Sequence, residues 1–328
     1  LAEQKPTVNF SKGLFQVEIP ELGESIRGKV RDNWVIDNGK IRIMVTTDRQ
    51  SVNAKSVCTI PGKGQISNLI SAYWFEFTKD IVSNNMIATP HPNVLFARQA
   101  VRTIPIEVVA RRYMAKSDSK TSIYYNYFIK KRRHIYGINF PEGLKANEEL
   151  PWTIVTPTTK APNGIDEELT DEEAMGIVDL EFGKGTWKKV KDLAIKVFEK
   201  ARIHALKKGL ILSDTKFEFG FDGQGRIMLI DELLTPECSR YWIKSTYKKR
   251  ISEGKNPEPY KDVLVDWMAK HPSAVKIDPK IIKSLLGVYK GIYKRIALKR
   301  LPKPESNPKK VKRAILDYIK KQKIETKR

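Results

Sequence analysis

The stretch Leu210-Ile211-Leu212-Ser213-Asp214-Thr215-Lys216-Phe217-Glu218-Phe219-Gly220, followed through Asp222-Gly223-Gln224-Gly225 by Arg226-Ile227-Met228-Leu229-Ile230-Asp231-Glu232-Leu233, decides the reading of this chain. Two β-rich runs flank a strong turn signal, so they read as paired strands, Leu210 to Phe219 and Arg226 to Leu233. Alternate side chains of a strand share a face. Asp214, Lys216 and Glu218 therefore point one way, and Thr215, Phe217 and Phe219 point the other, toward a core. Asp231 and Glu232 close the second strand. Carboxylates thus gather around one lysine, a costly arrangement unless a cation or partner neutralises it. Oxygen ligands of this kind suit magnesium bridging to substrate phosphates, with the lysine facing a phosphate or a developing charge. A plain salt-bridged sheet face is the competing reading of the alternation by itself.

Outward from this hairpin the pattern mixes strands with long helices. Val190, Leu193, Ala194, Val197, Phe198, Ala201 and Ala205 fall on one helical face, closed by Lys207, Lys208 and Gly209. A further helix is expected from Pro279 to Ile296, capped by Asp278. Nearer the start, Trp34 to Val45 reads as a hairpin turning at Asp37-Asn38-Gly39-Lys40. A helix is expected after Pro61-Gly62-Lys63-Gly64, and Ile104 to Ala110 reads as a strand. The class is α+β.

The 328 residues and 41% apolar content allow a sizeable core. No apolar run is long enough to span a membrane, and the first ten residues lack the pattern of a secretory signal. Cys58 and Cys238 cannot make a disulfide framework, and four scattered histidines show no zinc spacing. A cytoplasmic location is the expectation. The net charge of +22 is concentrated: Lys294 to Arg328 holds fourteen Lys and Arg against three acids, half of the total. A solvated basic tail is the plain reading, because no aromatics interleave as in a single-strand binding groove.

Other segments point to phosphate chemistry. Arg27-Gly28-Lys29-Val30-Arg31-Asp32 places glycine among cations before a strand, which suits a nucleotide phosphate, although a simple turn reads the same way. No Walker-type loop or dinucleotide fingerprint is present. Asp48-Arg49 with Ser51, Arg111 with Ser117, and Ser239-Arg240 pair cations with hydroxyls, as anion sites do.

Taken in order, these segments resemble the SAICAR synthetase family (phosphoribosylaminoimidazole-succinocarboxamide synthase). The resemblance rests on Gly28-Lys29-Val30-Arg31-Asp32, Thr47-Asp48-Arg49, Ile60-Pro61-Gly62-Lys63-Gly64 and Pro105-Ile106-Glu107-Val108-Val109-Ala110-Arg111. It continues through Thr156-Pro157-Thr158-Thr159-Lys160-Ala161, Asp214 to Gly220, and Asp231-Glu232-Leu233-Leu234-Thr235-Pro236. It implies a two-lobed α+β fold with an ATP cleft, distantly like the ATP-grasp enzymes. The expected division is a β-rich lobe over 1–108, a second lobe over 109–296 and a basic tail over 297–328.

The implied activity is an ATP- and Mg2+-dependent ligase of purine biosynthesis. It phosphorylates the carboxylate of an aminoimidazole ribonucleotide and joins it to aspartate. By resemblance, Lys216, Glu218 and Asp214 surround the transfer centre. Gly28, Lys29, Arg31, Glu107, Asp231 and Glu232 face the nucleotide, and Asp231 and Glu218 face the metal. Asp48, Arg49, Arg111, Ser117, Lys160, Asp166, Ser239 and Arg240 hold the substrates. The partners implied are small molecules; neither a membrane nor nucleic acid is expected.

The chain departs from the family pattern at Ala54, where an acid is expected, at Lys116 in place of glycine, and in the shortened loop Gly164-Ile165-Asp166-Glu167. It departs again at Glu237-Cys238. These changes cluster at the acceptor and amine end. They leave open a paralogue that runs the same ATP chemistry on another carboxylate or amine. A third reading is a non-catalytic nucleic-acid-binding protein on the same scaffold.

Overall fold

The computed structural model describes residues 13–52, 55–160, 166–258, 263–271 and 277–326. In chain order the elements are β1 (Ile26–Arg27), β2 (Arg31–Ile36), β3 (Ile41–Thr46), β4 (Arg49–Val52), β5 (Lys55–Thr59), α1 (Lys63–Thr78), β6 (Ser83–Asn84), β7 (Met86–His91), β8 (Val94–Arg98), β9 (Arg102–Thr103) and β10 (Ile106–Tyr113). There follow β11 (His134–Ile135), β12 (Ile138–Asn139), β13 (Glu149–Thr159), α2 (Asp171–Phe182), α3 (Thr186–Lys207), β14 (Leu210–Phe221), β15 (Ile227–Ile230) and β16 (Ser239–Ile243). Helices α4 (Lys244–Ser252), α5 (Val263–Lys270), α6 (Pro279–Ala297) and α7 (Pro308–Gln322) complete the chain.

The chain folds as two compact units. One takes 1–75, 85–100 and 261–328, and the other takes 76–84 and 101–260. The expected boundary at 108/109 therefore falls inside β10, a continuous strand whose hydrogen-bonded partners on both sides belong to the second unit. Sequence composition changes too little there to mark where the chain crosses between units.

In the first unit, five antiparallel strands run in the order β1-β2-β3-β8-β7. The expected hairpin is β2-β3, with Trp34 opposite Ile43, and Asp37, Asn38 and Gly39 all at positive φ in the turn. Trp34, Ile36, Ile43, Val45, Val94 and Phe96 form a core closed by Val311, Ile315 and Ile319 of α7. The segment expected as a basic tail is thus a core helix, capped by Asn307 with Pro308 in its first turn. Its apolar residues recur at i, i+4 and i+8, a stripe that the surrounding lysines conceal in a composition count. Ile315→Ala should therefore cost about 2–5 kcal/mol in a denaturant melt. A loss below about 1 kcal/mol would show that α7 does not complete this core.

The second unit is built on β13-β10-β14-β15-β6, with β16 pairing the first half of β14 and β9 its end. Helix α3 covers one face with Val190, Ala194, Val197, Phe198, Ala201 and Ala205, all buried. Thr215, Phe217 and Phe219 are buried, as their alternation required. The opposite face of β10 and β14 carries the charged residues.

Candidate active site

Three rows of side chains cross the charged face of the second unit, set by strand register. Arg111 of β10 lies opposite Asp214 of β14, which lies opposite Arg240 of β16. Two residues along β14, roughly 7 Å further, Lys216 lies opposite Val109. Another two residues on, Glu218 lies opposite Ile230, with Glu107 nearby on β10. The face therefore has a cationic end, a central lysine and a carboxylate end.

At the cationic end, Arg240 Nη1 donates to Asp214 Oδ2 at 2.7 Å and Nη2 donates to Ser117 Oγ at 3.0 Å. Arg111 Nη1 stands 3.7 Å from the same Asp214 oxygen, and its Nε donates to Thr156 Oγ1 at 2.8 Å. Asp214 was expected at the transfer centre. It is instead a buried counter-ion that sets two guanidinium groups side by side. Ser239, expected beside Arg240 on substrate, faces the other way: it lies opposite Thr215, and the two hydroxyls hydrogen-bond at 2.7 Å in the buried layer. Adjacent strand residues cannot share a face, so the Ser239-Arg240 pair divides.

At the carboxylate end, Lys216 Nζ donates to Glu107 Oε1 at 2.6 Å and to Glu218 Oε1 at 3.2 Å. Lys160 pairs with the second oxygen of Glu218. Burial disfavours the Lys216 ammonium, but Glu218, Glu107 and Asp231 outweigh it and hold the ammonium above its ordinary value. Burial likewise raises Glu107, against the attraction of Lys216, and the neighbouring charges of Asp166 and Glu218 raise it further. Glu107, Lys160, Asp166, Lys216, Glu218 and Asp231 are thus brought into one electrostatic cluster.

Asp231 leaves β15 in the left-handed region at φ 68°, and Leu234 repeats that conformation at φ 53°. Leucine rarely adopts it, and strain of this kind persists only where surrounding bonds impose it. Here Tyr241 Oη donates to Leu234 O at 2.7 Å, and the Thr235 hydroxyl donates to Glu232. Of these two anchors only Thr235 is legible in the sequence, as a member of the motif Leu234-Thr235-Pro236; Tyr241 carries no such signal.

Among the described residues no group of three or more His, Cys, Asp or Glu side chains is placed to hold a metal ion. Asp231 and Glu218, expected as metal ligands, form no such cage, and Glu218 is occupied by two lysines. Ala54 and Ile165, two of the departures from the family pattern, lie outside the described residues. Lys116 is exposed, and its amide donates to Asn147 Oδ1 at 2.9 Å.

In the first unit, the Gly28-to-Asp32 turn is held from beneath. Arg49 donates to Phe15 O at 2.6 Å, Gly28 O at 3.2 Å and Lys29 O at 3.3 Å, and pairs with Asp32 at 2.9 Å. Thr47 donates through Oγ1 to Val30 O at 2.8 Å. Because trans peptides are planar, drawing the carbonyls of Gly28 and Lys29 inward turns the amides of Lys29 and Val30 outward. Gly28 and Lys29 are exposed, and Arg31 begins β2.

Arg49 was expected on substrate, yet it is 2% exposed with its donors turned to the protein. Asp48, also expected on substrate, is buried and accepts from the amides of Leu14, Gly62 and Gly64. Burial still pushes its carboxyl up, against those three bonds and Lys63. Both residues hold the surrounding loops through these bonds. The sequence could not separate these roles, because a buried arginine on carbonyls and an exposed one on phosphate look alike in a motif.

The two thiols also differ. Burial pushes Cys58 up to about 11 despite nearby Lys63, while Cys238 is half-buried beside Thr235 and Ser239. A maleimide at neutral pH should therefore label Cys238 first and leave Cys58 protected until denaturation. Equal labelling rates would show that Cys58 is not enclosed.

The family described as SAICAR synthetase matches residues 24–281. This chain belongs to the SAICAR synthetase family. A phosphoribosylaminoimidazole-succinocarboxamide synthase of Legionella pneumophila (strain Paris) is 37% identical over 313 residues, covering 93% of this chain and 97% of that one. Among solved structures, the SAICAR synthase of Saccharomyces cerevisiae complexed with SAICAR superposes with a TM-score of 0.73 at 28% identity, over 88% of this chain and 99% of that one. A SAICAR synthetase in complex with ADP gives 0.63 at 25% identity, over 86% of this chain and all of that one. SAICAR synthetase family members are ligases, and the architecture found here is theirs.

Proposed function

We propose that this chain joins the carboxylate of a phosphoribosyl-aminoimidazole to the amine of aspartate, consuming ATP, to form the succinocarboxamide. The observation that carries this reading is the ordered face of β10, β14 and β16, with two arginines at one end and a lysine among carboxylates at the other. The reaction demands such polarity. A ribonucleotide carries a phosphate to be gripped and a carboxylate to be activated, and the transferring phosphoryl group must be neutralised between them.

Arg111 and Arg240, with Ser117, supply a set of donors for the ribonucleotide anion, and Asp214 lies within reach of both guanidinium groups. Lys216 and Lys160 face the phosphoryl group as the substrate carboxylate oxygen attacks the γ-phosphorus and the bond to ADP breaks. The aspartate amine then attacks the acyl carbon, phosphate leaves, and the amine proton passes to a carboxylate of the cluster. Considered by itself, the turn of the first unit, with the outward amides of Lys29 and Val30, is the other place in the described chain suited to an anion. The described side chains form no metal cage by themselves; were magnesium bound at this end of the face, the carboxylates of Asp231 and Glu218 would be the groups to hold it. Magnesium bound there would neutralise developing phosphoryl charge.

The test is direct. The protein with MgATP, carboxyaminoimidazole ribonucleotide and aspartate should yield ADP and the succinocarboxamide in equal amounts. ADP release that needs a different carboxylate or amine, with none from this set, would overturn the assignment of substrates. No ADP under any of these conditions would overturn the ligase reading itself.

A further inference from the structure

We propose that α6 and the segment after it form a second, non-catalytic surface that binds the backbone of double-stranded nucleic acid without reading its sequence. Between Lys280 and Lys303 the chain carries Lys280, Lys283, Lys290, Lys294, Arg295, Lys299, Arg300 and Lys303 and no acid. All eight are exposed. Among the described residues none of the eight has an acidic partner, whereas on α7 Lys310 pairs with Glu305, Lys312 with Glu21 and Arg313 with Asp317. Lys309, Lys320 and Lys321 of α7 also lack a salt bridge among the described residues, so α6 differs in carrying no acid of its own and no ion pair along its whole exposed side.

Its geometry is that of a ridge. At 100° per residue, Lys280, Lys283, Lys290 and Lys294 fall within roughly 80° of one another over about 21 Å of helix. Gly287 and Gly291 lie in and beside that stripe, with open space where a Cβ would stand. They leave the helix backbone approachable between the cations. The opposite side of α6 is committed to the core through Leu285, Tyr289, Ile292, Tyr293 and Ile296.

That burial decides among polyanions. A membrane-surface helix needs its apolar face for the lipid, and this one has none to give. Single-stranded nucleic acid is gripped by aromatic stacking, yet both tyrosines of α6 are buried. What remains is a line of point charges suited to phosphates at fixed spacing on a duplex, a contact that positions without specifying. The catalytic face lies on β10, β14 and β16, so this surface is independent of the ligase reading.

The experiment measures binding of the intact protein to a fluorescent 24-base-pair duplex by anisotropy from 50 to 200 mM KCl. Lys283→Glu/Lys290→Glu/Lys294→Glu should weaken binding at least tenfold at the lower salt. It should also reduce the slope of log K against log[KCl] by about 2 to 3, while ligase activity is unchanged. Lys184→Glu/Lys189→Glu/Lys196→Glu, which changes net charge equally just before and along the first half of α3, should bind nearly as wild type. If the glutamate variant of α6 does not fold, glutamine at the same three positions should give the same ordering. The proposal is overturned if wild type shows no salt-dependent binding, if both triple variants lose equally, or if a single strand or phosphatidylserine vesicles bind as tightly as the duplex.

Discussion

Lys216→Ala is expected to lower the rate of ADP formation by about 10²–10³-fold, the cost of removing one preorganised charge from a transition state. The physical case is the company it keeps. Its ammonium lies 2.6 Å from Glu107 and 3.2 Å from Glu218, with Asp231 contributing to the same field. Without it, the carboxylate end repels the anion that must approach, so binding of ATP and transfer of its phosphoryl group both suffer. The fold should survive, because the side chain is a third exposed and water can reach the stranded carboxylates. Lys216→Arg keeps the charge but replaces a point donor by a planar fork, and should recover little of the rate. A steady-state assay at saturating MgATP, with a thermal melt of each variant, decides the matter. Activity within tenfold of wild type in the alanine variant would remove Lys216 from the mechanism.

Gly64→Ala is expected to destabilise the protein by roughly 3 kcal/mol or more, as an overpacked core does. Helix propensity alone predicts the reverse, since alanine is favoured over glycine within a helix by about 1 kcal/mol. Gly64 stands at the start of α1, where a Cβ would lie 2.3 Å from Thr46 O and 2.7 Å from Thr47 O. Those are backbone atoms of the segment that also supports Asp48, whose carboxylate accepts the Gly64 amide at 2.9 Å. Nothing flexible can yield, so the helix start or the β3 end must move. Gly287→Ala and Gly291→Ala on α6 are the matched controls: each has open space and should stabilise by about 0.5–1 kcal/mol. A Gly64→Ala variant with an unchanged urea midpoint would show that the Asp48 network is looser than its geometry indicates.

The strand pair around Asp222-Gly223-Gln224-Gly225, helices α1 and α3, and the Asp278 cap of α6 were all legible in the sequence, because each depends on local periodicity and turn chemistry. The shared face of Asp214, Lys216 and Glu218 was legible for the same reason. What each member of that face does was not. Asp214 and Lys216 are two residues apart, yet one is bound to two arginines from neighbouring strands and the other to carboxylates. Register between distant strands decides this, and a single sequence does not contain it. Arg49 and Asp48 illustrate the same limit, since burial turned two expected ligand contacts into supports for loops. Helix α7 was hidden for a different reason: net charge dominates a composition count, while three aliphatic residues in register dominate the packing.

The first unit also has a temporal consequence. Its core joins Trp34, Ile43 and Val45 to Val311, Ile315 and Ile319, at opposite ends of the chain. A ribosome adding about 5–20 residues per second needs roughly 15–50 s to travel from one set to the other. Throughout that interval the core of the nascent N-terminal sheet lacks the share that α7 supplies, while the second unit, almost wholly contiguous in sequence, can already close. Translation thus reverses the order in which the domains are encoded, and a premature stop before residue 311 releases a chain whose opening segment is missing Val311, Ile315 and Ile319 from its core.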